Sequence, residues 1–242
     1  MEKLRLGIFA SGGGTTGEVI FDKAAVILTN NPQAGVIELA KQHHIPCEVL
    51  LPRSEFRVLN SVGENDKESS RLKYGEYLIT ILSNYAVTHG SLNGFDTLIP
   101  QNVIQAFKLV NSHPGPLDPG FLDFGGEGMH GLAVHQAVIN FSRMIDRPFS
   151  TAVCLHRVVE KYDKGELLSL VEVAIKEDDT AESLQARVKE VEKEQNRKFW
   201  EKVEQDNGEL RVIQRTSRVI LPGEEDLLFQ AKEEAIAAYP HG

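Results

Sequence analysis

In the N-terminal part of the chain, short apolar runs alternate with polar stretches. Leu4-Arg-Leu-Gly-Ile-Phe9 reads as a buried strand, and Ala24-Ala-Val-Ile-Leu28 as a second, closed by the turn signal Asn30-Asn-Pro32. Gly35 to His43 reads as a helix and Pro46-Cys-Glu-Val-Leu-Leu51 as a third strand. Arg53 to Ser69 is polar, carries Gly63 and reads as a loop. From Ser70 to Leu82 the apolar residues Leu72, Leu78, Ile79 and Leu82 return at helical spacing.

Further along, Lys108 to Asn111 reads as a strand, Pro114 to Gly131 as a long Gly/Pro loop, and residues 132–140 as a helix. Thr151-Ala-Val-Cys-Leu-His156 and Leu167 to Ile175 are two strand patterns close in sequence, which implies a hairpin-like antiparallel addition. Thr180 is placed to cap a long charged helix running to about Val203, with Ser183 three residues on where an acid is usual. After Leu210 only Arg218-Val-Ile-Leu221 is apolar before an acidic, alanine-bearing tail.

Strands alternating with helices imply parallel βαβ units with right-handed crossovers. The expected fold is α/β: a mostly parallel, twisted, Rossmann-like sheet with helices on both faces and one antiparallel addition in the C-terminal half. The expected boundaries are residues 1–212 for this domain and 213–242 for a C-terminal extension. At 242 residues and 41% hydrophobic composition the chain can bury a sizeable core. A net charge of −9 argues against a nucleic-acid surface. No apolar run approaches a membrane span, and the N-terminus lacks signal-peptide anatomy. Cys47 and Cys154 lack metal-ligand spacing and read as buried apolar residues. A cytoplasmic protein acting on small molecules fits these facts; they set no oligomeric state.

Two motifs carry chemistry. Gly12-Gly13-Gly14-Thr15-Thr16-Gly17 follows the first strand and formally satisfies G-x-G-x-x-G. Nicotinamide binding would also need an acid at the end of the second strand, and Thr29-Asn30-Asn31 supplies none. A glycine turn leading into a helix can still cradle a phosphate with its backbone N–H groups, or serve only as a tight turn. The second motif is Asn111-Ser-His113-Pro114, just past an apolar run where a strand would end, together with Asp163 in His156-Arg-Val-Val-Glu-Lys-Tyr-Asp163-Lys-Gly. An amide donor, an imidazole and a carboxylate suit acyl or formyl transfer. A carboxylate near His113 would be expected to keep the imidazole charged. His130 and His135 do not share one helical face and read as structural or substrate-contact residues, so no metal is expected. The charged residues 185–202 read as a solvated helix face.

With these motifs the sequence resembles the phosphoribosylglycinamide formyltransferase family over most of residues 4–210. Ala10-Ser-Gly-Gly-Gly-Thr15 resembles its phosphate-binding turn, Ser70-Arg71 its arginine-bearing helix, and Gly94-Phe95 followed by Leu98-Ile99 its folate-pocket segment. Asn111-Ser-His113-Pro114 and the His156 to Gly165 segment match its catalytic segments, and Met129-His130 with His135-Gln-Ala137 is loosely similar to another stretch. The resemblance implies 10-formyltetrahydrofolate as formyl donor and a phosphate-bearing amine as acceptor. It also implies catalytic roles for Asn111, His113 and Asp163, phosphate contacts from Gly12, Gly13, Gly14 and Thr15, and donor contacts from Arg71, Phe95, Leu98 and Ile99. The chain departs from the family at Thr16, at Asp96-Thr97, and in the longer loop His113-Pro-Gly-Pro-Leu-Asp-Pro-Gly-Phe121. Those departures leave open a different amine, such as a nucleotide sugar or an aminoacyl-tRNA, and a non-catalytic ligand-binding relative. The acidic tail argues against the tRNA version.

Overall fold

In the computed structural model, which describes residues 3–59 and 67–240, the apolar runs become strands, and β1 (Leu6–Phe9), in the interior of the sheet, is buried on both faces. Each of its residues is buried, as expected of a strand covered on both sides in a parallel sheet. It pairs in parallel with β2 (Ala24–Thr29) and β4 (His89–Leu92), and β2 pairs in parallel with β3 (Cys47–Val49). β6 (Ser150–Arg157) and β7 (Leu167–Ala174) form the expected antiparallel pair. With β5 (Lys108–His113) the seven strands make one sheet in the order β3-β2-β1-β4-β5-β6-β7. The helices are α1 (Val36–Gln42), α2 (Arg53–Leu59), α3 (Lys67–Asn84), α4 (Gln101–Ala106), α5 (Gly131–Met144), α6 (Ala181–Gln205) and α7 (Glu225–Ala238).

The chain divides into two units. The first holds Met1–Val110, Val158–Glu160 and Trp200–Glu209. Its core joins Phe9, Val26 and Leu28 of the strands to Tyr74, Leu78 and Leu82 of α3 and Val103 of α4. The second holds Asn111–Arg157, Lys161–Phe199 and Leu210–Gly242. There Phe124, Val134, Val138 and Phe141 pack against Leu228, Ala231 and Ala235 of α7, so the acidic tail contributes an amphipathic helix to a core. Ile139, Val153 and Val173 pack with Leu184 and Val188 of α6. The start of α6 is capped reciprocally: Ser183 N–H donates to Thr180 Oγ1 (3.2 Å) and Thr180 N–H to Ser183 Oγ (3.0 Å), a capping box built with serine.

Several elements differ from the sequence expectation. Arg53–Leu59 is helical, not loop, because Phe56 anchors it edge-on to Tyr74 (ring centroids 5.3 Å apart), and Lys67 to Ser69 are helical too, as the first residues of α3; residues 60–66 of that stretch lie outside the described residues. β4 and α4 carried no clear apolar signal. β4 is a buried polar strand whose His89 ring nitrogens face Gly208 O (2.9 Å) and Thr88 Oγ1 (3.0 Å), while Trp200 Nε1 donates to Ser91 Oγ (3.2 Å). β5 runs on through His113, so Asn111 and His113 belong to the strand. Between β1 and β2 the helical part of the connection is a six-residue 3₁₀ segment, Glu18–Lys23, after the glycine turn.

The turn between β6 and β7 depends on Gly165. A Cβ there would lie 1.8 Å from the carbonyl oxygen of Arg157, a backbone atom that cannot swing aside. We expect Gly165→Ala to destabilise the second unit by about 1–3 kcal/mol, the range for forced overpacking, measured by urea unfolding. An effect within experimental error would show that the turn is more pliant than this contact implies.

Candidate active site

Side chains two apart on a strand share a face, so β5 presents Asn111 and His113 to one side and Ser112 to the other. Asp163 comes from the β6–β7 turn. It occupies the left-handed region (φ 54°), which Asp tolerates better than most residues. The structure brings the three together. Asn111 Nδ2 donates to Asp163 Oδ1 (3.2 Å), and His113 Nδ1 lies 3.6 Å from Asp163 Oδ2. Both ionisable groups are buried, with His113 3% and Asp163 8% exposed.

A fourth residue, His156 on β6, completes the cluster. Its Nδ1 donates to the carbonyl of Arg157 (2.9 Å), which leaves Nε2 to accept the second amide proton of Asn111 (3.1 Å). That same Nε2 is 3.3 Å from Asp163 Oδ1. Gly126 N–H donates to Asp163 Oδ2 (3.0 Å), and His113 Nε2 donates to the carbonyl of Phe124 (3.0 Å). Gly125 allows this approach: a Cβ there would sit 2.6 Å from Cβ of Asp163 and 2.7 Å from Leu117 Cδ2.

Burial pushes the Asp163 pKa up, but the hydrogen bonds it collects, from the Asn111 amide and the Gly126 N–H among them, offset this and hold the carboxyl below the usual range. His113 goes the other way from the sequence expectation. Burial lowers its pKa below the ordinary histidine value, and the neighbouring His156 adds to that; Asp163, the Phe124 carbonyl and Asp123 pull upward without prevailing. The resting imidazole is therefore neutral near pH 7, with its proton on Nε2 toward Phe124 and a bare Nδ1 facing an ionised carboxylate.

On the other face of β5, Ser112 Oγ donates to the buried Glu192 of α6 (2.5 Å), and Asn196 Nδ2 donates to the Glu192 carbonyl (3.0 Å). Neither Glu192 nor His156 was singled out as a site residue from sequence. A histidine ending the apolar run Thr151–Leu155, and an acid on the inner face of a charged helix, were the available signals.

The remaining candidates lie in the first unit. At the glycine turn, Gly14 has φ 71°, and a Cβ there would meet Val36 Cγ2 at 2.3 Å. Gly12, Gly13 and Thr15 are exposed. Among the described residues no intramolecular acceptor takes the backbone N–H of Gly12, Gly13, Gly14 or Thr15. Asp96 is tied to this turn. Its N–H donates to Ser11 Oγ (3.1 Å), and its Oδ1 accepts from Asn30 Nδ2 (2.6 Å) and Thr97 Oγ1 (3.1 Å). On α3, Arg71 has Nε and Nη2 buried without a hydrogen-bond partner among the described residues. Phe95 packs edge-on to Phe9 (5.3 Å), the Leu98 carbonyl accepts from Arg53, and Ile99 is buried in the core. Among the described residues no group of three His, Cys, Asp or Glu side chains is placed to hold a metal, and no helix is long and apolar enough to cross a membrane.

His135 on α5 gives a stability test. It is 1% exposed, its Nδ1 has no partner among the described residues, and burial, with His113 and Lys189 nearby, pushes its pKa down to about 4. A folded-state value depressed below the ordinary 6.5 means stability is complete above pH 6.5 and is lost as pH falls toward about 4. The contribution over that window is about 3 kcal/mol. His135→Leu should flatten the fall by about 1.4 kcal/mol per pH unit in denaturant titrations between pH 6.5 and 4.5. An unchanged slope would place that acid sensitivity elsewhere.

Comparison with known proteins accords with the geometry. The Formyl transferase family model matches residues 13–197. The chain is 28% identical over 195 residues to the chloroplastic phosphoribosylglycinamide formyltransferase of Arabidopsis thaliana, covering 76% of this chain and 60% of that one. To the phosphoribosylglycinamide formyltransferase of Bacillus subtilis it is 26% identical over 201 residues, 78% of this chain and 88% of the other. It spans about 60% of the length of the plant relatives it matches. The crystal structure of phosphoribosylglycinamide formyltransferase from Bacillus halodurans superposes with a TM-score of 0.64 at 27% identity, covering 82% of this chain and 94% of that one. A match to the family model over most of its length, on a fold with this buried Asn–His–Asp cluster, shows that the chain belongs to the formyl transferase family.

Proposed function

We propose that this chain transfers a formyl group from 10-formyltetrahydrofolate to the amine of a phosphate-bearing acceptor, glycinamide ribonucleotide in purine biosynthesis. The observation that carries the reading is the buried cluster of Asn111, His113, His156 and Asp163, with the carboxylate ionised and His113 neutral. Family membership and relatives named phosphoribosylglycinamide formyltransferase support it.

The residues fit both substrates. Arg71 offers two buried guanidinium nitrogens without partners, which suits a carboxylate such as the folate glutamate tail. Phe95 and Leu98 are partly exposed apolar neighbours for the rest of the donor, with Ile99 buried behind them. The free N–H groups of Gly12 to Thr15 suit the acceptor phosphate. The Asp96 carboxylate, where the chain departs from the family, is engaged by Asn30 and Thr97 and acts here as a brace for the glycine turn. The donor supplies an electrophilic formyl carbon.

The chain's own groups do the rest. The bare Nδ1 of His113 takes a proton from the attacking amine and can deliver it to the departing nitrogen. Asp163, 3.6 Å away, stabilises the imidazolium as it forms. Negative charge on the formyl oxygen is met by the Asn111 amide, which in the free protein holds His156 and Asp163 and must turn one of its protons toward the substrate.

Turnover is tested by following tetrahydrofolate release with glycinamide ribonucleotide as acceptor. Activity is expected, with His113→Ala lowering kcat by about 10²–10⁴-fold while the fold is retained. No turnover with this or any other amine would refute the reading. A second outcome follows from the sign of the His113 shift. A base with a lowered pKa stays unprotonated below pH 6.5, so the acid limb of kcat/KM should lie below the ordinary histidine value. An acid limb above it would mean that His113 works from the charged state. Inorganic phosphate should compete with the acceptor, and its failure to do so would leave the glycine turn a purely structural feature.

A further inference from the structure

The segment that grips the catalytic pair is itself gripped by the C-terminal helix. Residues 123 to 126 make four contacts in succession. The Asp123 carbonyl accepts from Lys232 Nζ (3.3 Å), the Phe124 carbonyl from His113 Nε2 (3.0 Å), the Gly125 carbonyl from Lys232 Nζ (2.8 Å), and the Gly126 N–H donates to Asp163 Oδ2 (3.0 Å). One ammonium thus holds the peptide groups on either side of the carbonyl that fixes His113. The Asp123 side chain secures the same segment from within: Oδ1 accepts from Gly125 N–H (3.0 Å) and Lys164 Nζ (3.0 Å), and Oδ2 from Asp118 N–H (3.1 Å).

Lys232 is delivered by packing. Leu228, Ala231 and Ala235 of α7 are buried against Phe124, Met129 and Phe141, and Ile236 Cδ1 lies 3.0 Å from where a Cβ on Gly128 would stand. The ammonium, on a half-buried side chain, lies near Asp123, Asp163 and Lys164. A charged donor in a low-dielectric setting holds a carbonyl more firmly than a neutral one. A flexible glycine-rich loop would otherwise leave the His113 to Asp163 spacing loosely set.

We propose that Lys232 is a positioning residue for the reaction: the C-terminal helix locks the 123–126 segment, and through it the spacing of His113 and Asp163. The kinetic part rests on the formyl-transfer reading; the structural part does not.

The test compares Lys232→Met with Leu228→Ala, which removes buried apolar volume from the same helix without touching the loop carbonyls. Two readouts are taken on the full chain: steady-state kinetics and the titration of His113 by NMR. The groups facing His113 are Asp163, His156, Asp123 and His135, all retained in both variants. In Lys232→Met, kcat should fall roughly 10- to 100-fold, as for a small misplacement of a catalytic group, with KM for both substrates within about twofold. The His113 midpoint should rise toward the ordinary histidine value as the loosened loop admits water. Leu228→Ala should lower Tm and leave the titration in place. A folded Lys232→Met with wild-type kcat and wild-type titration would overturn the proposal, as would an equal displacement of His113 by Leu228→Ala. Should Lys232→Met fail to fold, Lys232→Gln is judged by the same criteria. If the wild type transfers no formyl group, the reading of function fails, and the titration alone still decides whether Lys232 positions the pair.

Discussion

An ionised carboxylate buried in the second unit is the constraint on which the rest of the site depends. An isolated charge there would be costly, and Asp163 is tolerable only because the Asn111 amide and the Gly126 N–H donate to it, with the His156 and His113 rings packed beside it. These neighbours come from three places in the sequence: the end of β5, the end of β6, and the glycine loop. Satisfying one charge therefore fixes the relative placement of three segments. It also explains local oddities: a non-glycine residue in the left-handed region at Asp163, and two adjacent glycines, one allowing close approach and the other at φ 107°.

The same burial sets the protonation states. Desolvation pushes both histidines and carboxylates toward neutrality, and the outcome depends on how many donors each group collects. Asp163 collects enough to stay charged. His113 has one carbonyl acceptor at 3.0 Å and a carboxylate at 3.6 Å, and burial prevails. The result is a neutral base beside a fixed anion, an arrangement that favours imidazole gaining a proton during reaction rather than holding one beforehand. His135, without even one partner for Nδ1, is driven further in the same direction.

Much of the fold was legible because its signals are apolar and periodic. β1, β2, β6, β7, α3 and α6 all follow runs or helical spacing visible in the residues, and the Thr180 cap lies where its side chain indicates. What escaped is polar and held by distant partners. His89-Gly-Ser-Leu92 becomes a strand because Gly208, Thr88 and Trp200 satisfy its side chains, which no local pattern announces. α2 turns on the single anchor Phe56, and α7 on an alanine-lined face hidden within an acidic stretch. In the site, residue types and order pointed to Asn111, His113 and Asp163, but the sign of the His113 shift required knowing how deeply it is buried. His156, Glu192 and Lys232 were invisible for the same reason: their roles rest on what folds against them.

The central claim is that Asp163 is held as a buried carboxylate by its donors, and its ionisation can be observed directly. With the Asp163 side-chain carboxyl followed by ¹³C NMR, its chemical shift should stay at the ionised value from pH 8 down to the lowest pH at which the chain remains folded. A titration with its midpoint at or above the ordinary aspartate value of about 3.9 would contradict the account, because burial would then outweigh the surrounding donors.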